Sequence, residues 1–509
     1  MIQPYIHHQQ KKGGMPAKIM KNQIVYIILI IILPVYQGVA QHTFEQIISK
    51  PEDQKINQII EDSNGNFVLV GKMNNSNTFF PGGYIIKIDS AGDLLNEIVI
   101  HPIDTNSYIF FNIHFYNNYY YVLGTSTDSI IHSQKKLWYI KLNENLSILS
   151  QKELMLPTGK WFSYFNSIID SDTNFVIAGY TTRTDSIQIY HNDPAFYKLS
   201  LEGDSIGSYF LSEPSKMRYA YDLLEDTSNT QYFAFVSRFE NTSAGQKLIL
   251  TKEFDSISLE PIPLGITDYY SPIYLNDTSI LMCGHGTPGQ SELYSLNVIS
   301  VDLNNQLIDY NHFKIDGNMR DHPAMYNGVS KNGNNIYIGG TSHFDYYNPY
   351  WSYYDSWYHL IKVNSDITPV WEYWYGGDAY YFLYSILATG DGGCIMVGNR
   401  YDYEIQDMER DIYIVKVNSD GLVTWTQEIP VDKHNTTVYP NPGTNILNVK
   451  TNNESIDFEL VNINGQVVLK RLLIGKSSSL NVEMLKSGIY FYRLIENNKI
   501  IKTGKWIKQ

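Results

Sequence analysis

Cysteine is almost missing from this chain. Two residues in 509, Cys283 and Cys394, cannot build a disulfide framework or a cysteine-rich zinc site. Each alternates with apolar neighbours, which fits small core residues; a disulfide between them is the other reading. Basic residues are in deficit as well: 38 Lys and Arg stand against 52 Asp and Glu, for a formal charge of −14. General nucleic-acid binding needs a basic surface to displace counterions from phosphates, so that class is excluded. No apolar run approaches the ~20 residues of a membrane-spanning helix. Charged residues make up only 18% and hydrophobic ones 43%, which excludes both a disordered polyelectrolyte and a multi-span membrane protein. Catalytic signatures are missing too. There is no Gly-x-Ser-x-Gly, His-Glu-x-x-His, P-loop or dinucleotide fingerprint, and the 13 His are scattered without zinc spacing. No catalytic residue, metal or cofactor is therefore assigned. What the chain has is tyrosine, 42 residues of it beside 35 Gly, a composition that favours strands and turns.

The two ends are basic and the middle is acidic. Residues 1–40 carry +4, residues 435–509 carry +5, and the body between them carries −23. At the N-terminus, Lys18 and Lys21 precede the apolar run Ile24 to Leu33, followed by Pro34 and then Gly38-Val39-Ala40. A basic start, a short apolar stretch and small residues at −3 and −1 make a secretory signal peptide, cleaved after Ala40. Residues 1–14 read as an upstream extension, with Met15 or Met20 as the alternative start. An uncleaved signal anchor is the other reading.

The body repeats. Each unit has a turn rich in Asn, Asp or Gly, an apolar strand ending in Gly, a variable polar segment, and a strand ending Lys-apolar-Asn/Asp. The first landmark falls at Gly71, Gly124, Gly179, Ser237, Gly284, Gly340 and Gly398, spaced 53, 55, 58, 47, 56 and 58 residues apart. The second falls at Lys87, Lys141, Lys198, Lys252, Ser300, Lys362 and Lys416. A unit of this size cannot bury both faces of its sheet alone. Seven of them stacked around an axis bury one another, which predicts an all-β fold with a seven-bladed β-propeller over residues 41–433. Two β-sandwiches are the alternative. The glycine suits a point where backbones crowd, and the lysine reads as a solvated residue at the blade edge. Trp371 and Trp425, nine residues after their lysines, read as blade-closing residues. Acidic turns such as Asp62-Ser63-Asn64-Gly65 lack a full calcium-ligand set and read as hairpin turns. The pattern resembles bacterial secreted propellers built from Asp-Gly-Gly-aromatic-Val-x-x-Gly…Ile-x-Lys-apolar-Asp repeats. That resemblance implies shape and little about ligand.

From residue 434 to 509 the character changes. Tyr439-Pro440-Asn441-Pro442 opens a turn-rich segment, and Asn464-Gly465 marks a hairpin between alternating strands. Gly488-Ile489-Tyr490 starts a late strand, and Lys502, Lys505 and Lys508 close the chain. Short strands and frequent turns predict a small Ig-like β-sandwich. In order and position these segments resemble the type A C-terminal sorting domain of the type IX secretion system. The residues carrying the resemblance are Tyr439, Pro440, Asn441, Pro442, Asn464, Gly465, Gly488, Tyr490 and Lys502. It implies passage through the periplasm of a Gram-negative bacterium, handling by an outer-membrane translocon, and release or surface display. An ordinary adhesive module is the alternative.

One stretch inside the sixth repeat is dense in aromatics and acids: residues 343–358, containing Tyr346, Tyr350, Trp351, Tyr353, Tyr354 and Trp357. Aromatic faces stack on sugar C–H groups, and Asp and Asn accept hydroxyl hydrogen bonds, so these six residues are the candidate site for a polysaccharide or protein ligand. Packing of the loop onto its own blade is the competing reading. The expectation is a non-enzymatic binding or adhesion protein, with an extracellular hydrolase of glycans or peptides as the alternative.

Overall fold

A computed structural model describes residues 41–509 apart from 75–79, 101–105, 129–134, 155–160, 185–189, 213–216, 240–243, 266, 286–294, 315–319, 406–407, 424–436, 452–454, 463–465 and 497–498. The expected cleavage site at Ala40 and the hairpin at Asn464-Gly465 lie outside the described residues.

Among the described residues, seven antiparallel sheets lie between Phe44 and Val417. The first is typical. Its strands Gln54–Glu61, Phe67–Met73, Gly82–Ile88 and Leu94–Ile100 pair in sequence order. The innermost strand of each sheet packs beside the innermost strand of the next, and Gln54–Glu61 of the first also lies against Tyr380–Ala388 of the seventh, which closes the ring. Each core is shared by two sheets: Val68, Val70 and Ile85 pack with Phe110, Tyr120 and Val122 of the second. The seventh sheet gives Ile395, Val397 and Ile414 to a core with Ile56, Leu69 and Ile86 of the first. No sheet could keep these residues dry alone, which is why the repeats form a β-propeller.

The seventh repeat is completed from the other end of the body, and Trp425 lies outside the described residues. Phe44–Ile48, at the start of the body, pairs with Asp411–Val417, in the register Phe44↔Lys416 to Ile48↔Ile412. A sheet completed by the opposite end of the body ties the ring shut with backbone hydrogen bonds.

The repeated glycine has a geometric cause. In the first sheet Ile56 pairs with Gly71 and Gln58 with Val70, so Asn57 is an extra residue in the inner strand. At this bulge a Cβ on Gly71 would stand 1.8 Å from the carbonyl oxygen of Lys55. The same crowding recurs at Gly124, Gly179, Gly340 and Gly398, each opposed by a carbonyl of its own inner strand at 2.1–2.6 Å. Polar side chains at and beside the bulges link the inner strands. Asn112 donates to Asn166 Oδ1 (2.9 Å), Asn166 donates to Asp222 Oδ2 (2.8 Å), and Ser271 N–H donates to the same Asp222 oxygen (3.0 Å).

The repeated lysine is not a solvated edge residue. Lys87, Lys198 and Lys416 are buried. Lys87 Nζ donates to the hydroxyl of Tyr120 in the next sheet (2.9 Å) and pairs with Asp62 of its own turn (3.1 Å), while Tyr120 donates to Asp62 (2.6 Å). Lys198, Tyr232 and Asp170 repeat the arrangement at 3.0, 3.2 and 2.6 Å. An ammonium reaching from one sheet to the next finds a carboxylate and a phenol there, so burial costs it little. Burial opposes the Asp62 charge, but bonds from Tyr120, Asn66 and Lys87 hold its carboxyl below the usual range. Cys283 and Cys394 are free and buried.

Beyond the ring, two further antiparallel sheets run from Thr437 to Lys508. They share one core, in which Leu447 and Val449 of one sheet meet Phe458, Leu460 and Leu494 of the other. Among the described residues no helix is long and apolar enough to cross a membrane.

Candidate functional site

Tight turns join the first strand of these sheets to the second, and longer connections join the second to the third. The aromatic stretch of the sixth repeat is one of these connections, joining Asn335–Phe344 to Trp357–Val363. Asp345 organises it. One carboxylate oxygen accepts from the backbone N–H of Tyr347 (3.0 Å) and Asn348 (3.1 Å), and the other accepts from the Ser352 hydroxyl (2.9 Å). The loop is thereby folded on itself, and its rings leave in two directions.

The outward group is exposed. Tyr346, Tyr347 and Tyr354, with Arg320, His343, Phe344 and Asp345, line a cleft of about 130 Å³. Tyr347 is 88% exposed, and Tyr346, Tyr353 and Tyr354 are each more than half exposed. The Arg320 guanidinium lies 5.0 Å from the Tyr346 ring centre and 5.7 Å from that of Tyr347, a cation over two aromatic faces.

The inward group is half-buried. Trp351 meets Tyr401 of the seventh sheet edge-on at 5.0 Å, and Arg410 lies 4.5 Å over its ring. Tyr350 lies 5.9 Å from Phe382 and 5.6 Å from Arg410. Arg410 is locked in turn: its Nε and Nη2 each donate to Asp53 of the first sheet at 2.7 Å. Burial opposes the guanidinium charge, but the Asp53 bonds more than offset it and hold the pKa above the ordinary arginine value. Trp357 belongs to neither group. It begins its strand half-buried, with its indole against Gly377 and the His343 ring 5.1 Å away, edge to face.

The six predicted ligand residues therefore do not form one platform. Tyr346 and Tyr354 share the outer cleft, Tyr350 and Trp351 turn onto the seventh repeat, Tyr353 is exposed, and Trp357 joins the sheet edge. Arg320 and Tyr347 line the outer cleft and Arg410 lies over the inward rings, and the sequence reading singled out none of the three. Scarcity was the available signal: the chain holds eight Arg, and Arg320, Arg400 and Arg410 all come from the sixth and seventh repeats.

In the C-terminal sheets the motif residues are drawn together. Asn441 Nδ2 donates to the carbonyl of Lys505 (2.7 Å), and Ile507 N–H donates to Asn441 Oδ1 (3.0 Å). The Pro440 carbonyl accepts from the indole of Trp506 (2.8 Å), which is fully buried. Tyr490 donates to the Lys486 carbonyl (2.8 Å), and its ring lies 6.0 Å from that of Trp506. Tyr439 is exposed, Pro442 follows Asn441 through a cis bond, and Gly488 pairs with Lys508. Lys502 pairs with Leu494. The opening motif and the final strand are thus one structural unit.

Residues 437–509 match the secretion system C-terminal sorting domain family. The tail marks the chain for export by the type IX secretion system, to the surface or medium of a Gram-negative bacterium. No curated protein matches the chain. Among solved structures, the acylaminoacyl peptidase of Pyrococcus horikoshii is similar at 9% identity and a TM-score of 0.41, over 78% of this chain and 57% of that one. This chain thus spans less than two thirds of that peptidase. The β-propeller domain of the Trilobed protease from Pyrococcus furiosus is similar at 10% identity and a TM-score of 0.42, over 77% of this chain and all of that one. At these scores the likenesses carry no argument, and the fold rests on the sheet order given above.

Proposed function

We propose that the propeller is a non-enzymatic binding module, carried out of the cell by its sorting tail, and that it takes a polysaccharide on the long-connection face of the sixth sheet. The observation that carries this reading is the outer cleft, where three exposed tyrosines and Arg320 stand together on a loop held rigid by Asp345. Exposed rings contribute little to a core, and their faces match the C–H faces of sugars. Two carboxylates of this region are engaged in structure: Asp345 binds its own loop, and Asp53 pairs with Arg410. An ordered loop on a rigid scaffold loses little entropy when it binds. The test is a glycan array probed with the mature protein and its Tyr347→Ala variant. Binding that falls about tenfold in the variant supports the reading. Turnover of a bound glycan or peptide would replace it with the hydrolase alternative.

A further inference from the structure

We propose that the loop face also holds an acid-recognising subsite at Lys55, which takes the carboxylate of a uronic-acid residue in the bound polysaccharide. This rests on the reading of that face as a glycan surface and names the class of glycan.

Lys55 is half-buried near the start of the first sheet's inner strand. Its ammonium lies 4.3 Å from the ring centre of Tyr384, 5.5 Å from Tyr326 and 5.8 Å from Tyr350. Three aromatic faces from the sixth and seventh repeats thus surround one cation, and each attracts it through its negative quadrupole. Among the described residues, no oxygen accepts a hydrogen bond from Nζ. Two further cations stand close by. Lys72 is the strand partner of Lys55, and Arg410 shares the Tyr350 face with it. The single carboxylate among them, Asp53, gives both oxygens to Arg410. The cluster therefore sets three basic side chains against one carboxylate, inside a body that is strongly negative. Burial, and then the charges of Arg410 and Lys72, push the Lys55 pKa well below the usual lysine value, which records how poorly the site compensates its ammonium.

The Tyr384 hydroxyl is buried in the same cage and has no hydrogen-bond partner. An ammonium with free donors beside an unpartnered phenol is the set that a carboxylate completes, because it accepts from both and supplies the counter-charge that Asp53 gives to Arg410. Tyr326 and Tyr384 are buried and hold the ammonium from behind, while half-buried Tyr350 offers an apolar face to the sugar ring that bears the acid. Tyr350 ties the subsite to the outer cleft, because it leaves the same connection as Tyr346 and Tyr354. A chain of sugars crossing that loop would meet neutral stacking outside and acid recognition inside.

The experiment titrates the mature protein, at low and at physiological salt, with trimers of galacturonate, glucuronate and mannuronate and with the corresponding neutral trimers. Uronate trimers are expected to bind at least tenfold more tightly than neutral ones, with a preference that shrinks as salt rises. Lys55→Met, which keeps the stem and removes the charge, is expected to abolish that preference while the melting temperature stays level or rises. Lys55→Gln is the second variant if the first fails to fold. Equal binding of uronate and neutral trimers, or a preference that survives in both variants, overturns the proposal. Displacement of the uronate by equimolar inorganic phosphate also overturns it, by reducing the site to a general anion trap. If neutral trimers bind, lose affinity in Tyr347→Ala and gain nothing from a carboxylate, the acid subsite fails and the outer cleft stands. If no trimer binds at all, both readings fail.

Discussion

Gly71 and Lys55 meet at the inner edge of the first sheet so closely that a methyl group on Gly71 would lie 1.8 Å from the Lys55 carbonyl oxygen. The repeat landmark thus fixes the backbone of the residue at the centre of the acid-recognising cage. A contact that close must move backbone, since no side chain is free to yield. Gly71→Ala is therefore expected to cost about 2–4 kcal/mol and to disturb binding at Lys55. Gly333→Ala is the comparison: that glycine has open space around its Cβ direction, and only its positive φ opposes the change. Denaturant melts of both variants check the difference. A Gly71→Ala protein as stable as the wild type would show that the bulge can relax.

The lysine bridges predict a different sensitivity. Lys87→Met should destabilise the protein by about 3 kcal/mol, because the Asp62 carboxylate keeps its burial and loses its cation. Adding Asp62→Asn should recover part of that loss, since the stranded charge is then gone. A double-mutant cycle by chemical denaturation reads the coupling. Additive losses would mean that the two groups do not act as a pair.

Asp222 gives the ring a pH dependence. Burial pushes its carboxyl up to about 7, against which bonds from Asn166, Leu223 and Ser271 act only in part. An unfolded Asp titrates near pH 4, so between about 4 and 7 the folded chain keeps a proton that the unfolded chain has lost. The contribution of this group is complete at low pH and disappears as pH rises through 7. His114 and His322 act in the opposite sense. Burial pulls both down to about 4, so their contribution is lost as pH falls from 6.5 toward 4. Asp222→Asn should be less stable than wild type at pH 5 and should close the gap by roughly 1–3 kcal/mol at pH 8. A gap that does not change with pH would place the titration elsewhere.

On the loop face, Tyr347→Ala and Tyr354→Ala should weaken glycan binding about tenfold with no shift in melting temperature, since both rings are exposed. Trp351→Ala should lower both. Its ring is half-buried against Tyr401 and covers Arg410, so its loss costs about 1–3 kcal/mol of packing as well. Glycan titration beside calorimetry separates the two effects. Loss of stability in Tyr347→Ala would return that ring to the core.

Deleting residues 434–509 in the native host should leave the propeller in the periplasm, because the sorting domain is removed whole. Trp506→Ala should also impair export, since it removes the indole that joins the last strand to Pro440. Cell fractionation reads both. Normal surface delivery of the truncated chain would overturn the export route.

The repeat, its period, the sheet count and the tail were legible in the residues alone. Those features depend on local chemistry: a strand that crosses a bulge favours glycine at one point, and a sorting tail must carry its motifs in order. Periodicity also placed the lysines, but not their environment. Whether Lys87 faces water or Asp62 depends on the neighbouring sheet, some thirty residues on in the chain, where Tyr120 lies. The ring closure was out of reach for the same reason, since Phe44 and Lys416 share no local pattern. The aromatic stretch of the sixth repeat was legible as a composition, but its division into an outer cleft and an inward pair depends on what it meets. Tyr401 and Arg410 draw Trp351 in, whereas Tyr347 meets Tyr346 and Arg320 and stays exposed. The Lys55 cage was invisible in the sequence, because only closure of the ring brings the first repeat against the sixth and seventh. Sequence sets what each strand must be; tertiary structure alone decides which charges and rings face one another across the axis.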